Sequence, residues 1–259
     1  MTSTASADRR FVGVSALLFA NNATTTIVWC ASMSMAKMSM PGGWLMSMAW
    51  MRMPGQSWPG AAASFLGMWV LMMVAMMLPS LVPTLRRYRR AVGGARLGRL
   101  TALAGAGYFA VWTALGIAAF PLGVALAALE MRETALARAV PIAVGAIVLG
   151  AGIVQLTAWK ARQLACCREG PPGGRALPPD AATAWRQGVR FGLDCARCCG
   201  GLMAILLVIG VMDLGAMAVV AVAITAERVA PAGERVARAI GVVVIATGLL
   251  LIVRAAGLG

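Results

Sequence analysis

Apolar residues run through this chain in six long stretches, separated by short segments rich in arginine, proline and glycine. A stretch of about 20 apolar residues forms a helix long enough to cross a bilayer core. The pattern predicts spans over residues 11–31, 61–85, 101–129, 139–158, 199–225 and 239–258. The first is the most polar, with Asn21, Asn22 and Thr24 to Thr26 in its middle. Polar groups at that depth need partners inside a bundle or a water-filled cavity. Pro79 and Pro83 predict a kink near the end of the second span, and Pro121 an early end or a tilt for the third. The expected fold is an all-α integral membrane protein: one membrane domain over 1–259, a bundle of about six transmembrane helices. Three spans before the midpoint and three after suggest a 3+3 arrangement, whose odd repeat unit would be inverted and would pair the second span with the fifth.

The basic residues set a direction. A short tail over 1–10 carries Arg9 and Arg10, and the segment after the second span carries Arg86, Arg87, Arg89, Arg90, Arg96 and Arg99. The segment 159–190, with Lys160, Arg162, Arg168, Arg175, Arg186 and Arg190, reads as a linker, because Gly170-Pro171-Pro172-Gly173-Gly174 interrupts it. The positive-inside rule puts these segments in the cytoplasm. The segment 32–60, the one with Arg132 and Arg138, and the one with Arg228, Arg235 and Arg238 then fall outside. This describes a multi-pass protein of a bacterial inner (cytoplasmic) membrane with its N-terminus in the cytoplasm.

Composition agrees. The chain is 60% hydrophobic with mean hydropathy +0.81, and only 12% of residues are charged, against roughly 25% in soluble domains. A net charge of +14 would ordinarily suggest nucleic acid. Here the arginines lie between apolar runs, so the partner they imply is the lipid bilayer and no nucleic acid is expected.

Sulfur supplies the candidate chemistry. There are 18 methionines, six cysteines and no histidine. Thioether and thiolate are soft donors suited to Cu(I), so any metal site here must do without imidazole. Five cysteines lie in or near one basic inner segment. A reducing compartment favours metal or redox chemistry over structural disulfides.

Three sulfur constellations stand out, with a carboxylate beside them. In Asp194-Cys195-Ala-Arg-Cys198-Cys199-Gly-Gly-Leu-Met203, helical rotation of 100° per residue puts Cys195, Cys199 and Met203 at about 0°, 40° and 80° around the axis. Cys198 lies about 60° to the other side. If these thiols open a helix, its N-terminus would favour thiolate. In the second span, Met68, Met72 and Met76 recur at i, i+4 and i+8, and Trp69, Met73 and Met77 form the adjoining stripe. Outside, the run Met33-Ser-Met35-Ala-Lys-Met38-Ser-Met40 is followed by Met46, Met48, Met51 and Met53 in an expected irregular or interfacial loop, with Trp44, Trp50 and Trp58 at headgroup level. This run is similar to the methionine motifs of copper transporters. Asp213, expected near the middle of the fifth span, is costly at that depth and so a candidate ligand, proton carrier or partner for Asn21 or Asn22. Packing is the bland alternative throughout: Met fills cores, Cys packs as a small hydrophobe, and loop Met can dip into lipid. Cys166 and Cys167 are adjacent in sequence, and their role stays open.

Taken together, Trp69-Val-Leu-Met-Met-Val-Ala-Met-Met-Leu-Pro79, the cysteine motif, Gly210-Val-Met212-Asp213 and Glu227-Arg228 resemble a bacterial family of metal-binding integral membrane proteins with a copper-chaperone role. The resemblance covers roughly residues 61–230. The family typically has an aromatic residue after the double cysteine, where this chain has Gly200-Gly201, and ends its later motif Glu-Lys rather than Glu227-Arg228. The resemblance implies a metal, copper first.

The expected function is therefore soft-metal handling. Cys195, Cys198, Cys199 and Met203 would face Met72, Met73, Met76 and Met77 near the cytoplasmic side, Asp213 would assist, and Met33, Met35, Met38 and Met40 would capture Cu(I). The ion would be stored, moved or delivered to a copper enzyme or a soluble copper carrier. Two other readings remain open: a membrane thiol–disulfide oxidoreductase using Cys195-x-x-Cys198 with Cys199, and a structural or assembly subunit whose sulfurs only pack.

Overall fold

The computed structural model describes residues 2–33, 37–39, 45–47, 50–52, 55–93, 96–169 and 177–257. Its elements are, in order, α1 (Thr2–Met33), β1 (Lys37–Ser39), β2 (Leu45–Ser47), α2 (Trp58–Val92), α3 (Leu97–Arg132), α4 (Thr134–Gln155), α5 (Ala158–Glu169), α6 (Ala181–Ile209), α7 (Leu214–Val229) and α8 (Gly233–Ala255). Six helices, α1, α2, α3, α4, α6 and α8, are long and apolar enough to cross a membrane. Their outward faces carry bare Leu17, Leu122, Ile153, Val243 and Leu250. Exposed apolar surface of that extent suits lipid rather than water.

Small residues let the helices approach backbone to backbone, as packing in a bilayer favours. A Cβ added to Gly188 on α6 would collide with the Ala104 carbonyl on α3, and one on Gly107 would meet the Trp185 carbonyl at 2.6 Å. Gly188 sits on Ala104 and, one turn on, Gly192 sits on Tyr108 and Val111, so α3 and α6 run parallel. Gly145 and Gly152 of α4 meet Ile252 and Ile245 of α8 in descending order, so that pair is antiparallel. The α1–α2 pair is also antiparallel, tied by an Asp8–Arg86 ion pair and by Arg89 over the Phe11 ring. Trp69 of α2 donates to the Trp112 carbonyl of α3 at 2.8 Å.

Those directions correct several expectations. The expected fifth span, 199–225, does not exist as one helix. Asp180 caps α6 by accepting from the Thr183 N–H at 2.8 Å, and a buried stripe through Ala184, Gly188, Phe191 and Cys195 carries the helix forward between exposed arginines. The helix stops at Gly210, whose φ of 142° is reached readily only by glycine. The chain then reverses into α7, which returns along α6 as far as Arg228.

The segment 226–238 therefore shares an end of the bundle with Asp8, α5 and the last turns of α2, not the opposite end. Arg228, Arg235 and Arg238 join the other arginines there. With α7 inserted, α6 and α8 run the same way, so the second half is not a simple inversion of the first.

Other departures are local. The expected linker over 159–190 contains α5 and the first turns of α6. Within the expected irregular loop, β1 and β2 pair antiparallel, with Met38 opposite Met46. Trp50 is half-buried, 5.1 Å from Phe65 between ring centroids, while Trp58 is exposed. The helices α2 and α3 continue through Pro79, Pro83 and Pro121. In α1 Asn22 donates to the Leu18 carbonyl and Thr25 to the Asn21 carbonyl, both at 2.8 Å, while the buried Thr26 hydroxyl has no hydrogen-bond partner among the described residues.

Candidate functional site

Four buried thiols lie in one core at the arginine-rich end. Cys195, Cys198 and Cys199 lie fourteen or more residues into α6 and are buried. They do not open the helix, so its N-terminus is not what acts on them. Cys195 and Cys199, one turn apart, bring their sulfurs to 3.7 Å, and the Cys199 thiol donates to the Cys195 carbonyl at 2.9 Å. The fourth thiol is Cys167 of α5, buried where α5 packs against α6 and in the same core as the other three. Donating toward Cys195, then toward Cys198, pushes this thiol above the ordinary thiol range, and burial adds to the effect. Cys166, one position away, is exposed. All six cysteines are free thiols.

Cys195 is the centre of the cluster. Tyr108 of α3 donates its hydroxyl to the Cys195 sulfur at 3.0 Å, and Arg228 of α7 donates an N–H to it at 3.2 Å. The same Arg228 guanidinium reaches Ser80 at 3.0 Å and Thr84 at 3.4 Å on α2. One side chain thus ties three helices together around a sulfur. The hydroxyl of Ser80 in turn donates to the Met77 carbonyl at 2.9 Å.

A buried ionic network lies beside the thiols. The Lys160 ammonium of α5 is 2.6 Å from the Glu227 carboxylate of α7, with both side chains almost fully enclosed. Lys160 also donates to the Cys198 carbonyl at 2.7 Å. Gln155 donates to the other Glu227 oxygen, and Arg168 donates to the Glu227 main-chain carbonyl at 2.9 Å. Charges this deep are tolerated only when paired and hydrogen-bonded, and this pair has both.

The expected site residues separate into four groups. Cys195, Cys198, Cys199 and Met203 are brought together on one buried stripe of α6. Met72, Met73, Met76 and Met77 are buried in the same continuous core, on a helix that packs chiefly against α1, α3 and α7. Their link to the thiols runs through Ser80, Thr84 and Arg228. Asp213 is not in mid-helix. It is exposed and caps α7, accepting from the Ala216 N–H at 2.8 Å, so it is a structural cap remote from the cluster. Met33 ends α1 and Met38 lies in β1, but their side chains, and Met35 and Met40 entirely, lie outside the described residues.

Four residues of the site escaped the sequence reading: Cys167, Lys160, Tyr108 and Arg228 as a ligand of sulfur. A signal for two of them was present. Lys160, Leu164 and Cys167 recur at i, i+4 and i+7, which puts them on one helical face and turns Cys166 about 100° away. A further soft pair lies toward the other end of the bundle, where the Cys30 thiol is 3.8 Å from the Met212 thioether. Among the described residues, no three His, Cys, Asp or Glu side chains form a ready-made ligand cage. The sulfur–sulfur contact recorded among the described thiols is the Cys195–Cys199 pair at 3.7 Å.

The family PpoB2, described as a copper chaperone, matches residues 66–251. That region contains every thiol of the cluster, Tyr108, Lys160, Glu227 and Arg228. No curated protein and no solved structure matches the chain.

Proposed function

Since the chain belongs to the PpoB2 copper chaperone family, we propose that it is a membrane-embedded chaperone that holds Cu(I) between thiolates of the Cys167–Cys195–Cys198–Cys199 cluster. The observation that carries this reading is the Cys195–Cys199 sulfur pair at 3.7 Å, with Cys198 on the same helix and Cys167 of α5 buried in the same core. Buried cysteines are common, but four from two elements in one core, two with their sulfurs in contact and one bonded to a guanidinium, exceed what packing requires. Thiolate suits a soft ion, and Arg228 supplies positive charge against the sulfur.

The methionines form the approach. Met68, Met72, Met73, Met76 and Met77 line buried positions along α2 from the opposite end of the bundle toward Ser80 and Thr84. Cys30 and Met212 lie nearer that opposite end. Cu(I) captured by the Met-rich segment would pass from one weak thioether site to the next and stop at the stronger thiolates. By the positive-inside rule, the arginine-rich end faces the cytoplasm of a bacterial inner membrane. A copper enzyme or a soluble carrier would exchange the ion there.

The test is metal content. Protein purified in detergent, with and without added copper, should retain Cu(I), and Cys195→Ser protein should retain far less. Wild-type protein that retains none would end the reading.

A further inference from the structure

Resting on that reading, we infer that Arg228 makes the thiol site selective for monovalent soft ions over divalent ones by setting the charge that the loaded site must carry. The argument is a balance of buried charge. Lys160 and Glu227 cancel at 2.6 Å. Asp194, next to the cluster in sequence, pairs with Arg197 at 3.6 Å near the surface. Arg168 reaches the site only through a main-chain carbonyl. Among the described residues, this leaves Arg228 as the buried cation whose recorded contacts are neutral hydroxyls, Ser80 and Thr84, and the Cys195 sulfur. A buried guanidinium needs one negative charge to compensate it.

A monovalent ion held by two thiolates carries a net charge of −1 and matches Arg228. A divalent ion held by two thiolates is neutral and leaves the guanidinium unpaired. To reach −1, a divalent ion would need a third thiolate, and no group of three is preassembled among the described residues. Cu(I) and Ag(I) are therefore favoured, and Zn(II) is disfavoured, although zinc also binds thiolates well. Arg228 acts here on specificity as well as on affinity.

The experiment compares Ag(I), Cu(I) and Zn(II) affinities by anaerobic chelator competition on the full chain in detergent, for wild type, Arg228→Gln and Arg228→Lys. Wild type should prefer the monovalent ions. In Arg228→Gln the monovalent affinity should fall on the order of 100-fold, while Zn(II) affinity stays level or rises. Arg228→Lys should restore most of the monovalent preference, because it restores the charge. A parallel fall for all three ions in Arg228→Gln, or an unchanged preference, overturns the inference while leaving the thiol site standing. Wild type that binds none of the ions overturns the proposed function itself, and the inference with it. If Arg228→Gln does not fold, X-ray absorption of Cu(I)-loaded wild type still decides. Two short Cu–S bonds are expected, and a site of three thiolates overturns the inference.

Discussion

The Arg228 guanidinium donates to the Cys195 sulfur at 3.2 Å, joining α7 to α6 inside the bundle. Because the same group reaches Ser80 and Thr84, α2 is held to the sulfur as well. Binding chemistry and helix packing therefore share one residue, and substitutions around it should affect stability and metal affinity to different degrees.

Lys160→Met should destabilise the protein strongly. It leaves Glu227 charged and enclosed with only Gln155 against its carboxylate, and breaking a buried pair from one side costs about 3–5 kcal/mol. The double variant Lys160→Met/Glu227→Leu removes both charges and should recover most of that loss. Thermal unfolding in detergent measures both. Equal destabilisation by the single and double variants would show that the pair's charges do not matter.

Cys166 and Cys167 should behave as opposites. Cys166 is exposed and Cys167 is buried where α5 packs against α6. A maleimide reagent should label Cys166 rapidly and Cys167 slowly in folded protein. Cys167→Ser should weaken Cu(I) binding, whereas Cys166→Ser should not. Mass spectrometry after labelling, together with chelator competition, gives both results. Equal labelling would contradict the placement of α5.

Gly188→Val should separate α3 from α6. Its side chain would have to occupy the position of the Ala104 backbone, so the helices must move apart and Tyr108 moves away from Cys195. The expected result is a loss of roughly 1–3 kcal/mol, the usual cost of overpacking, accompanied by weaker Cu(I) binding. The equivalent change at Gly150, where an added Cβ meets nothing within 4 Å, should have little effect on either.

Replacing Met72 and Met76 together by Leu conserves volume and apolar character, so stability should change little. If thioethers carry the approach, Cu(I) should reach the thiol cluster more slowly while final occupancy stays the same. Stopped-flow mixing with a Cu(I) donor measures the rate. An unchanged rate would reduce the α2 methionines to packing.

Much of this was legible in the sequence, and the failures have physical causes. Continuous apolar runs marked the long helices, because helices are the economical way to satisfy a backbone in lipid. The α6 boundary was lost because Arg186 and Arg190 interrupt the apolar run without interrupting the buried stripe through Ala184 and Gly188. The α6–α7 reversal was hidden because Gly210 and Asp213 sit in an otherwise apolar stretch, where a helix with a glycine gap reads the same as two short helices. That error put Arg228 on the wrong side and Asp213 in the wrong role. The thiols of α6 were visible as a local motif. Cys167 was not, because its membership depends on α5 folding back against α6, a contact between segments separated by residues 170–180.

The central claim is that the four-thiol cluster holds Cu(I). Anaerobic titration of Cu(I) against a competing chelator, comparing wild type with Cys195→Ser, tests it most directly. Removing a supporting group around a metal typically lowers affinity about 10–100-fold, and loss of Cys195 itself should exceed that while the fold persists. Undiminished affinity and stoichiometry in Cys195→Ser would contradict the account.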